Sequence, residues 1–193
     1  MKLRGLYAIT PDGPDVLDKV GRALDGGIAL LQYRRKEKAA LDEAEALLAL
    51  SRRYGVPFIV NDDVELALKL GADGVHLGRD DGDLVAARRK LKGKCLGASC
   101  YDKAELAHAA VAAGVDYVAF GSVFSSPTKP GAVRAPLSLF KEFQIPLCAI
   151  GGITLRNAPQ AIAAGADMVA VISDLFDAPD IQARAAAYRK LFE

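Results

Sequence analysis

The chain has only three cysteines, no tryptophan and no long apolar run, and these absences narrow what it can be. The cysteines are odd in number, so they cannot all pair, and they lack the spacing of a metal site: they are Cys95, Cys100 and Cys148. This favours a reducing compartment over a disulfide framework. No apolar stretch approaches the ~18 residues of a transmembrane helix. Residues 1–10 are typical of a strand rather than a signal peptide. We therefore expect a cytoplasmic protein that makes no use of a membrane.

An excess of either charge is missing as well. Lysine and arginine total 25 against 24 aspartates and glutamates, so neither nucleic acid nor an anionic membrane surface is an expected partner. Positive charge that binds a ligand must then be local. The 193 residues, 51% of them hydrophobic, suit a single globular domain over residues 1–193. The sequence leaves the oligomeric state open, a homo-oligomer included.

What the chain does contain is a repeated joint, in which an alanine-rich helical stretch ends at glycine and a short apolar run follows. Glycine ends a helix at little cost, and the apolar run suits a strand buried on both faces of a parallel sheet. Eight such runs lie at residues 6–10, 29–33, 57–61, 74–77, 95–99, 117–121, 147–151 and 169–173. With helices between them and a last helix over 181–191, they predict an α/β fold, a closed (β/α)8 TIM barrel. An open doubly wound sheet with fewer strands is the alternative.

The second predicted strand ends in a basic segment. If the strand continues, Gln32, Arg34 and Lys36 share one face and form a clamp for an anion. The alternative is a solvated basic loop that leads into the next helix. The segment alone does not decide between these two interpretations.

Acidic residues end the third and fourth predicted strands. Asp62 follows one, Asp80 and Asp81 lie shortly after the other, and Mg2+ usually takes one or two carboxylates together with substrate phosphates. These loops therefore predict a magnesium site, although helix capping, by Asp63 and by one of the aspartates after the fourth strand, is an alternative use of such residues. His76, at the end of the fourth strand, is expected to be a packed, hydrogen-bonded histidine.

The remaining strand ends favour phosphate. The sixth strand leads into a hydroxyl-rich loop with Lys129, which suits a loop that closes over a ligand but also an ordinary surface turn. Gly151 and Gly152 after the seventh strand and Ser173 after the eighth match the phosphate site of these barrels, where backbone N–H groups bind the anion. The chain thus predicts two anion sites on one rim, one cationic and metal-assisted, the other built from backbone.

These segments, in this order, resemble the thiamine-phosphate synthase family over nearly the whole chain. The matching blocks are Gln32-x-Arg34-x-Lys36, Asn61-Asp62, Asp73-Gly74-Val75-His76-Leu77-Gly78, Gly97-x-Ser99, Thr128-Lys129, Ile150-Gly151-Gly152-Ile153 and Ile172-Ser173. The resemblance implies a transferase of thiamine biosynthesis that couples 4-amino-5-hydroxymethyl-2-methylpyrimidine diphosphate to a thiazole phosphate, or its carboxylated form. Diphosphate leaves first in that family, and the thiazole nitrogen captures the pyrimidine-methyl cation.

The resemblance also implies a role for each matching residue. The catalytic residues would be Lys129, Arg34 and Ser99. Contacts to the two substrates would come from Gln32, Arg34, Lys36, Asn61, Ser99, Ser126, Thr128, Lys129, Gly152, Ile172 and Ser173. Mg2+ would be the cofactor, bound by Asp62 and Asp81.

Three positions depart from the family pattern. Arg79 stands where relatives often have glutamine, Tyr101 where they often have histidine, and Ser126 where many have threonine. None of these changes removes a clamp residue or a metal ligand. Two other functions on the same fold are alternatives: a thiazole tautomerase, which Tyr101 disfavours, and a non-catalytic protein that binds phosphorylated ligands, which the complete clamp disfavours.

Overall fold

The computed structural model describes residues 1–35, 40–125 and 133–193. Eight parallel strands close into a barrel in chain order, with β8 pairing back onto β1. The strands are β1 (Gly5–Ile9), β2 (Leu30–Tyr33), β3 (Phe58–Asn61), β4 (Gly74–Leu77), β5 (Cys95–Tyr101), β6 (Tyr117–Phe120), β7 (Leu147–Ile150) and β8 (Met168–Val171). The predicted closed barrel is confirmed, and the open sheet was the wrong alternative.

Helices surround this barrel and alternate with its strands. They are α1 (Val16–Gly26), α2 (Leu41–Arg53), α3 (Val64–Leu70), α4 (Leu84–Leu91), α5 (Ala104–Ala112), α6 (Ala158–Ala164), α7 (Ser173–Phe176) and α8 (Ile181–Lys190). A 3-10 helix, Leu137–Lys141, stands between β6 and β7. Asp63 caps α3 by accepting from the N–H of Leu66 at 2.8 Å, as the capping interpretation expected.

Successive strand residues alternate between two apolar layers. In β1, Leu6 packs in the outer layer between strands and helices, whereas Tyr7 packs inside the barrel. The inner layer consists of Tyr7, Ile9, Leu30, Ile59, Cys95, Tyr117, Ala119, Cys148, Met168 and Ala170. Because the alternation has a period of two, Gln32 of β2 and Ser99 of β5 also fall on inward positions. Polar groups thus follow directly above an apolar barrel floor.

An aspartate stands at the start of every second strand from β4 onward. The carboxylates of Asp73, Asp116 and Asp167 accept backbone N–H groups at the start of the preceding strands β3, β5 and β7, at 2.8, 2.7 and 3.0 Å. At these three joints an aspartate stands two residues after the glycine, where its side chain fixes the register of neighbouring strands. These bonds lie at the end of the barrel opposite the polar strand ends.

The first and last units close the barrel. Tyr7 of β1 pairs with Ala170 of β8, and α1 packs on α8. A Cβ on Gly26 would lie 2.5 Å from Cβ of Ala185, so glycine is required for this helix contact. Across the described ranges, no helix combines the length and the apolar character needed to cross a bilayer.

All three cysteines are buried and free of disulfides. Burial raises the pKa of the Cys95 and Cys100 thiols to about 12, and it raises that of Cys148 further. Cys100 packs in the outer layer and does not face the strand ends. The cysteines therefore act as small apolar side chains.

Candidate active site

The two arginines of the basic segment after β2 point in different directions. Arg35 bonds outward to Glu43 of α2, with Nε 2.7 Å from Oε1. The backbone of Arg34 is pinned at the rim by Thr10, whose Oγ1 accepts its N–H at 2.9 Å and donates to its carbonyl at 2.8 Å. The positive charge of Arg34 acts on Asp62 and favours the ionised carboxylate. Arg34 is thus the arginine that faces the candidate site, while Lys36 lies outside the described residues.

Two carboxylates meet at the ends of β3 and β4. Asp62 has φ of 65°, in a left-handed region that few non-glycine residues adopt, and its N–H donates to the carbonyl of His76 at 2.8 Å. Its side chain accepts from the amide of Asn61. Asp81 folds back to accept from the N–H of Gly78 at 2.8 Å, where a Cβ would lie 2.5 Å from Asp81 Oδ2. The backbone at both places is arranged to bring these acids together.

The shared position of the two acids is electrostatically costly. Desolvation, followed by a hydrogen bond to Asp81 and its negative charge, raises the pKa of Asp62 from 3.8 to about 6. A divalent cation between them would remove this repulsion, and two carboxylates are a usual protein contribution to a Mg2+ site. In the part of the chain that is described, no group of three or more His, Cys, Asp or Glu side chains forms a metal cage. The donor set fits an ion that takes its other ligands from substrate and water.

A row of polar side chains crosses the barrel interior beneath these loops. Gln32 Nε2 donates to the hydroxyl of Tyr7 at 2.8 Å, and this hydroxyl lies 2.9 Å from that of Tyr117. The Tyr117 hydroxyl lies 2.9 Å from Nδ1 of His76, whose Nε2 lies 2.8 Å from Oγ of Ser99. His76 is therefore the packed, hydrogen-bonded residue that was expected, and burial lowers its pKa to about 4.

The two unusual residues Arg79 and Tyr101 contact each other. The guanidinium carbon of Arg79 lies 4.8 Å from the centre of the Tyr101 ring, and the backbone N–H of Arg79 donates to the Tyr101 hydroxyl, with the nitrogen 3.5 Å from the oxygen. Such a contact contributes about 0.5–1 kcal/mol at an exposed site. The pair joins the loop that carries Asp81 to the end of β5, which gives both departures from the family pattern one structural reason.

Backbone rather than charge forms the rim at β7 and β8. Gly151 and Gly152 have φ of 93° and 65°, and a Cβ on Gly152 would lie 2.5 Å from the carbonyl oxygen of Phe124. The N–H of Phe124 in turn donates to the carbonyl of Gly151 at 3.0 Å. Ser173 opens α7 directly after β8, where the first N–H groups of a helix have no acceptor within it.

One carboxylate ties these two loops together. Asp174 Oδ2 accepts from Arg184 at 2.6 Å, from the hydroxyl of Tyr188 at 2.7 Å and from the N–H of Leu155 at 3.2 Å. Leu155 belongs to the loop after β7, and Asp174 directly follows Ser173. The position of one loop therefore fixes the position of the other, and both are held against α8.

A model of the thiamine monophosphate synthase family matches residues 6–175 of this chain. The chain belongs to the thiamine monophosphate synthase family. The thiamine-phosphate synthase of Aromatoleum aromaticum is 61% identical over an alignment of 203 residues, gaps included, which covers 100% of this chain and 98% of the relative. That of Thioalkalivibrio sulfidiphilus is 54% identical, with coverages of 100% and 97%. The resemblance is confirmed, and with it the assignment to the transferases that make thiamine phosphate.

A solved structure of more than 30% identity agrees with this family. Thiamine phosphate pyrophosphorylase from Pyrococcus furiosus superposes with a TM-score of 0.88 at 34% identity, covering 98% of this chain and 96% of that one. A 3-hexulose-6-phosphate synthase superposes with a TM-score of 0.77 at 16% identity, which shows a common barrel fold alone.

The structure places most of the predicted family site residues at the carboxyl ends of strands. Those at the ends of β2 to β5 are Gln32, Arg34, Asn61, Asp62, Asp81 and Ser99, and those at the ends of β7 and β8 are Gly152, Ile172 and Ser173. Lys36, Ser126, Thr128 and Lys129 lie outside the described residues. Their roles remain predictions.

Sequence reasoning missed three residues that organise the site. Tyr7 and Tyr117 were assigned only to strands, and Asp174 was not singled out. An inward strand position that carries a phenol in an otherwise apolar run is a usable signal for the tyrosines. For Asp174 no local pattern exists, because its partners lie 10 and 14 residues further along the chain.

Proposed function

We propose that this family member joins the pyrimidine diphosphate to the thiazole phosphate, or its carboxylated form, across the rim of the barrel. The observation that carries the proposal is the acid pair Asp62 and Asp81 beside Arg34 on one side of the rim, opposite a glycine-built loop on the other. Two anionic substrates need two anion sites of different character, and these two regions provide them. A phosphosugar isomerase on the same barrel would leave the charged side without use.

The pyrimidine diphosphate is proposed to bind at the ends of β2 to β5. Arg34 and Lys36 supply positive charge, and the side chains of Gln32, Asn61 and Ser99 supply hydrogen-bond donors to phosphate oxygens. Mg2+, held by Asp62 and Asp81, supplies neutralisation of diphosphate charge when it is bound. Lys129 is proposed to reach the same group from the loop after β6.

The thiazole phosphate is proposed to bind at the ends of β7 and β8. Backbone N–H groups at Gly152 and at the Ile172-Ser173 turn suit its oxygens, because glycine lets an anion approach the backbone closely. Ser126 and Thr128 are proposed to add hydroxyl donors. Asp174 holds this side in place through its bonds to Arg184 and Tyr188.

In this arrangement the residues act mainly by position and charge. The bond between the pyrimidine methylene carbon and the diphosphate oxygen breaks, and the electron pair leaves with diphosphate. The thiazole nitrogen then forms the new carbon–nitrogen bond. Arg34, Ser99 and Lys129 are proposed to stabilise the leaving diphosphate by donating hydrogen bonds that strengthen as its charge grows.

A coupled assay tests the proposal. Purified protein is mixed with the pyrimidine diphosphate, the thiazole phosphate and Mg2+, and both products are followed. Thiamine phosphate and diphosphate should appear in equal amounts, and EDTA should abolish both. Conversion of a thiazole tautomer without coupling would favour the tautomerase, and tight binding of both substrates without product would favour a binding protein. Either result from folded protein would overturn the assignment.

We also propose that the protein depends on Mg2+, because the two carboxylates fit that ion, and that it is cytoplasmic, because its three thiols are free.

A further inference from the structure

We propose that five hydrogen-bonded side chains inside the barrel set the direction of the Ser99 hydroxyl, so that its proton points to the bound ligand and not to His76. This row of side chains runs from Gln32 through Tyr7, Tyr117 and His76 to Ser99. The role of Ser99 in this proposal rests on the proposed function, in which that residue contacts the diphosphate. Tyr7, Tyr117 and His76 are positioning residues, since the proposed ligand site lies at the two ends of this row.

The geometry leaves these groups few alternative partners. Gln32, Tyr7, Tyr117 and His76 are 3%, 1%, 0% and 7% exposed, so water cannot substitute for a missing partner. Throughout the described residues, every buried side-chain nitrogen and oxygen has a hydrogen-bond partner. Each link in the row is 2.8 or 2.9 Å long. A proton placed at one link therefore constrains the next.

Counting donors gives the row one direction. A tyrosine hydroxyl donates one proton, and a neutral imidazole donates from one nitrogen and accepts at the other. With Gln32 donating to Tyr7, the proton of Tyr7 goes to Tyr117, and that of Tyr117 goes to Nδ1 of His76. Nε2 of His76 then carries the proton and donates it to Ser99 Oγ. The hydroxyl proton of Ser99 is left for another acceptor.

The reverse direction serves an anionic ligand poorly. In it, Ser99 donates to Nε2 of His76, the protons of both tyrosines point the other way, and Gln32 accepts through its amide oxygen. Ser99 would then offer only lone pairs to a phosphate oxygen, which is itself an acceptor. In the forward direction both ends still have a donor, since the amide nitrogen of Gln32 keeps its second N–H. Only the forward direction suits an anion at both ends.

The positions of the ring nitrogens are held by backbone register. His76 of β4 pairs with Gly97 of β5, and Gly97 pairs with Tyr117 of β6. A Cβ on Gly97 would lie 2.1 Å from the Cζ atom of Tyr117, so a side chain there would displace the phenol. The His76 and Tyr117 rings stack, with centroids 5.5 Å apart and planes inclined by 24°. Glycine at 97 is thus required for the row to form.

Histidine nitrogen spectroscopy tests the direction without any substrate. The chain has two histidines, and a His108→Gln variant assigns their signals because His108 lies on the outer helix α5. We expect the neutral ring of His76 to carry its proton on Nε2 with a bare Nδ1. A proton on Nδ1 at neutral pH, alone or on both nitrogens, would overturn the proposal whether or not the protein turns over.

Kinetics then test whether the direction matters. Tyr117→Phe removes the donor to Nδ1, so the ring should become a mixture of tautomers. The kcat/KM for the pyrimidine diphosphate should fall about tenfold, the scale of one hydrogen bond to a charged oxygen. The KM for the thiazole phosphate should not change. A Ser51→Ala variant is the control, since it also loses one buried hydrogen bond, to the carbonyl of Val56, but lies away from the row.

A double variant separates a positioning role from a general loss of structure. If Tyr117 acts through Ser99, then Tyr117→Phe should cost nothing further in a Ser99→Ala background. Independent, additive losses would contradict the proposal, as would an unchanged His76 spectrum in Tyr117→Phe. If that variant does not fold, the wild-type spectrum still decides. Inactive wild-type protein with the expected tautomer would count against the proposed function and not against the row.

Discussion

The two halves of the barrel rim are built by opposite means. At the ends of β2 to β4, side chains of opposite charge stand close together, and Asp62 has an uncommon backbone conformation and a raised pKa. At the ends of β7 and β8, glycine backbone is held by internal hydrogen bonds, and the one carboxylate, Asp174, has three donors. The first half has electrostatic repulsion that a ligand would relieve, whereas the loops of the second half are held in place by hydrogen bonds within the protein.

The two halves should therefore differ in whether a substitution affects activity alone or both activity and stability. A residue whose interactions are completed by a ligand contributes little to the folded protein alone, and removing it even relieves strain. A residue whose interactions are completed by the protein supports fold and site together. Substitutions in the charged half should therefore cost activity alone, and those in the backbone half should cost both.

The largest effect is expected for Asp62→Ala. Loss of a carboxylate that faces the diphosphate should lower kcat/KM by about 10³-fold, with the melting temperature unchanged or higher. Lys129→Ala should show a similar loss. The matched control is the neighbouring Asp63→Ala, which loses a helix cap and about 1 kcal/mol of stability but keeps its activity. Near-normal turnover in both Asp62→Ala and Lys129→Ala would break the comparison.

Gly152→Ala should damage both properties in the backbone half. The new Cβ would lie 2.5 Å from Phe124 O and 2.6 Å from Ser125 O, in a backbone with φ of 65°. We expect the KM for thiazole phosphate to rise by about tenfold or more and the free energy of unfolding to fall by about 1–3 kcal/mol. Urea unfolding and steady-state kinetics check this. A lower kcat with unchanged stability would place this glycine with the charged half instead.

Asp174→Asn is expected to act on the same half more gently. The ion pair with Arg184 is lost while the side-chain shape is kept, so stability should fall by about 1–2 kcal/mol. The KM for thiazole phosphate should rise a few-fold, because the loop after β7 loses its link to α7. Titration of each substrate separately checks the selectivity. An equal loss for the pyrimidine diphosphate would mean that Asp174 supports the barrel generally.

The smallest effect concerns pH in metal-free protein. The pKa of Asp62 is raised from 3.8 to about 6 in the folded state, so its contribution to stability is present below pH 3.8 and is lost as pH rises through about 6. His76, whose pKa is lowered from 6.5 to about 4, has the opposite dependence in the same window. The difference in the free energy of unfolding between Asp62→Asn and wild type isolates the contribution of Asp62. As pH rises, the stability of the variant relative to wild type should increase by under about 1 kcal/mol, because Asp62 is exposed to solvent.

Urea unfolding in EDTA between pH 4 and pH 7, two values that bracket the titration of a carboxyl with pKa about 6, measures this difference. Added Mg2+ should reverse its sign by stabilising the wild type alone. A flat difference across the window would show that neither burial nor the neighbouring Asp81 raises the pKa of Asp62.

The eight strands could be predicted because each is buried on both faces and bounded by glycine or a polar residue. For β4 the predicted and observed bounds are the same, Gly74–Leu77. Arg34 and Asp62 could be placed on one rim because parallel strands in a barrel end at one face. That Arg34 and not Arg35 faces the site depends on Glu43 of α2, a tertiary contact that no local pattern contains.

The inner row of polar residues was out of reach for a related reason. Tyr7 and Tyr117 are 110 residues apart, yet their hydroxyls lie 2.9 Å apart. Strand alternation indicates that both side chains point inward, but the tilt and register that bring them into contact arise only when the barrel closes. Contacts that form only when the barrel closes therefore could not be predicted from the sequence.

The three buried thiols have a practical consequence for labelling. With pKa values raised to about 12 for Cys95 and Cys100 and higher for Cys148, almost no thiolate exists at neutral pH, and thiolate is the form that reacts with maleimide dyes. A Val133→Cys variant would place a reactive thiol at a 70% exposed position beside the segment 126–132. A fluorophore attached there, with no native cysteine removed, would report in real time on substrate binding near the proposed phosphate site.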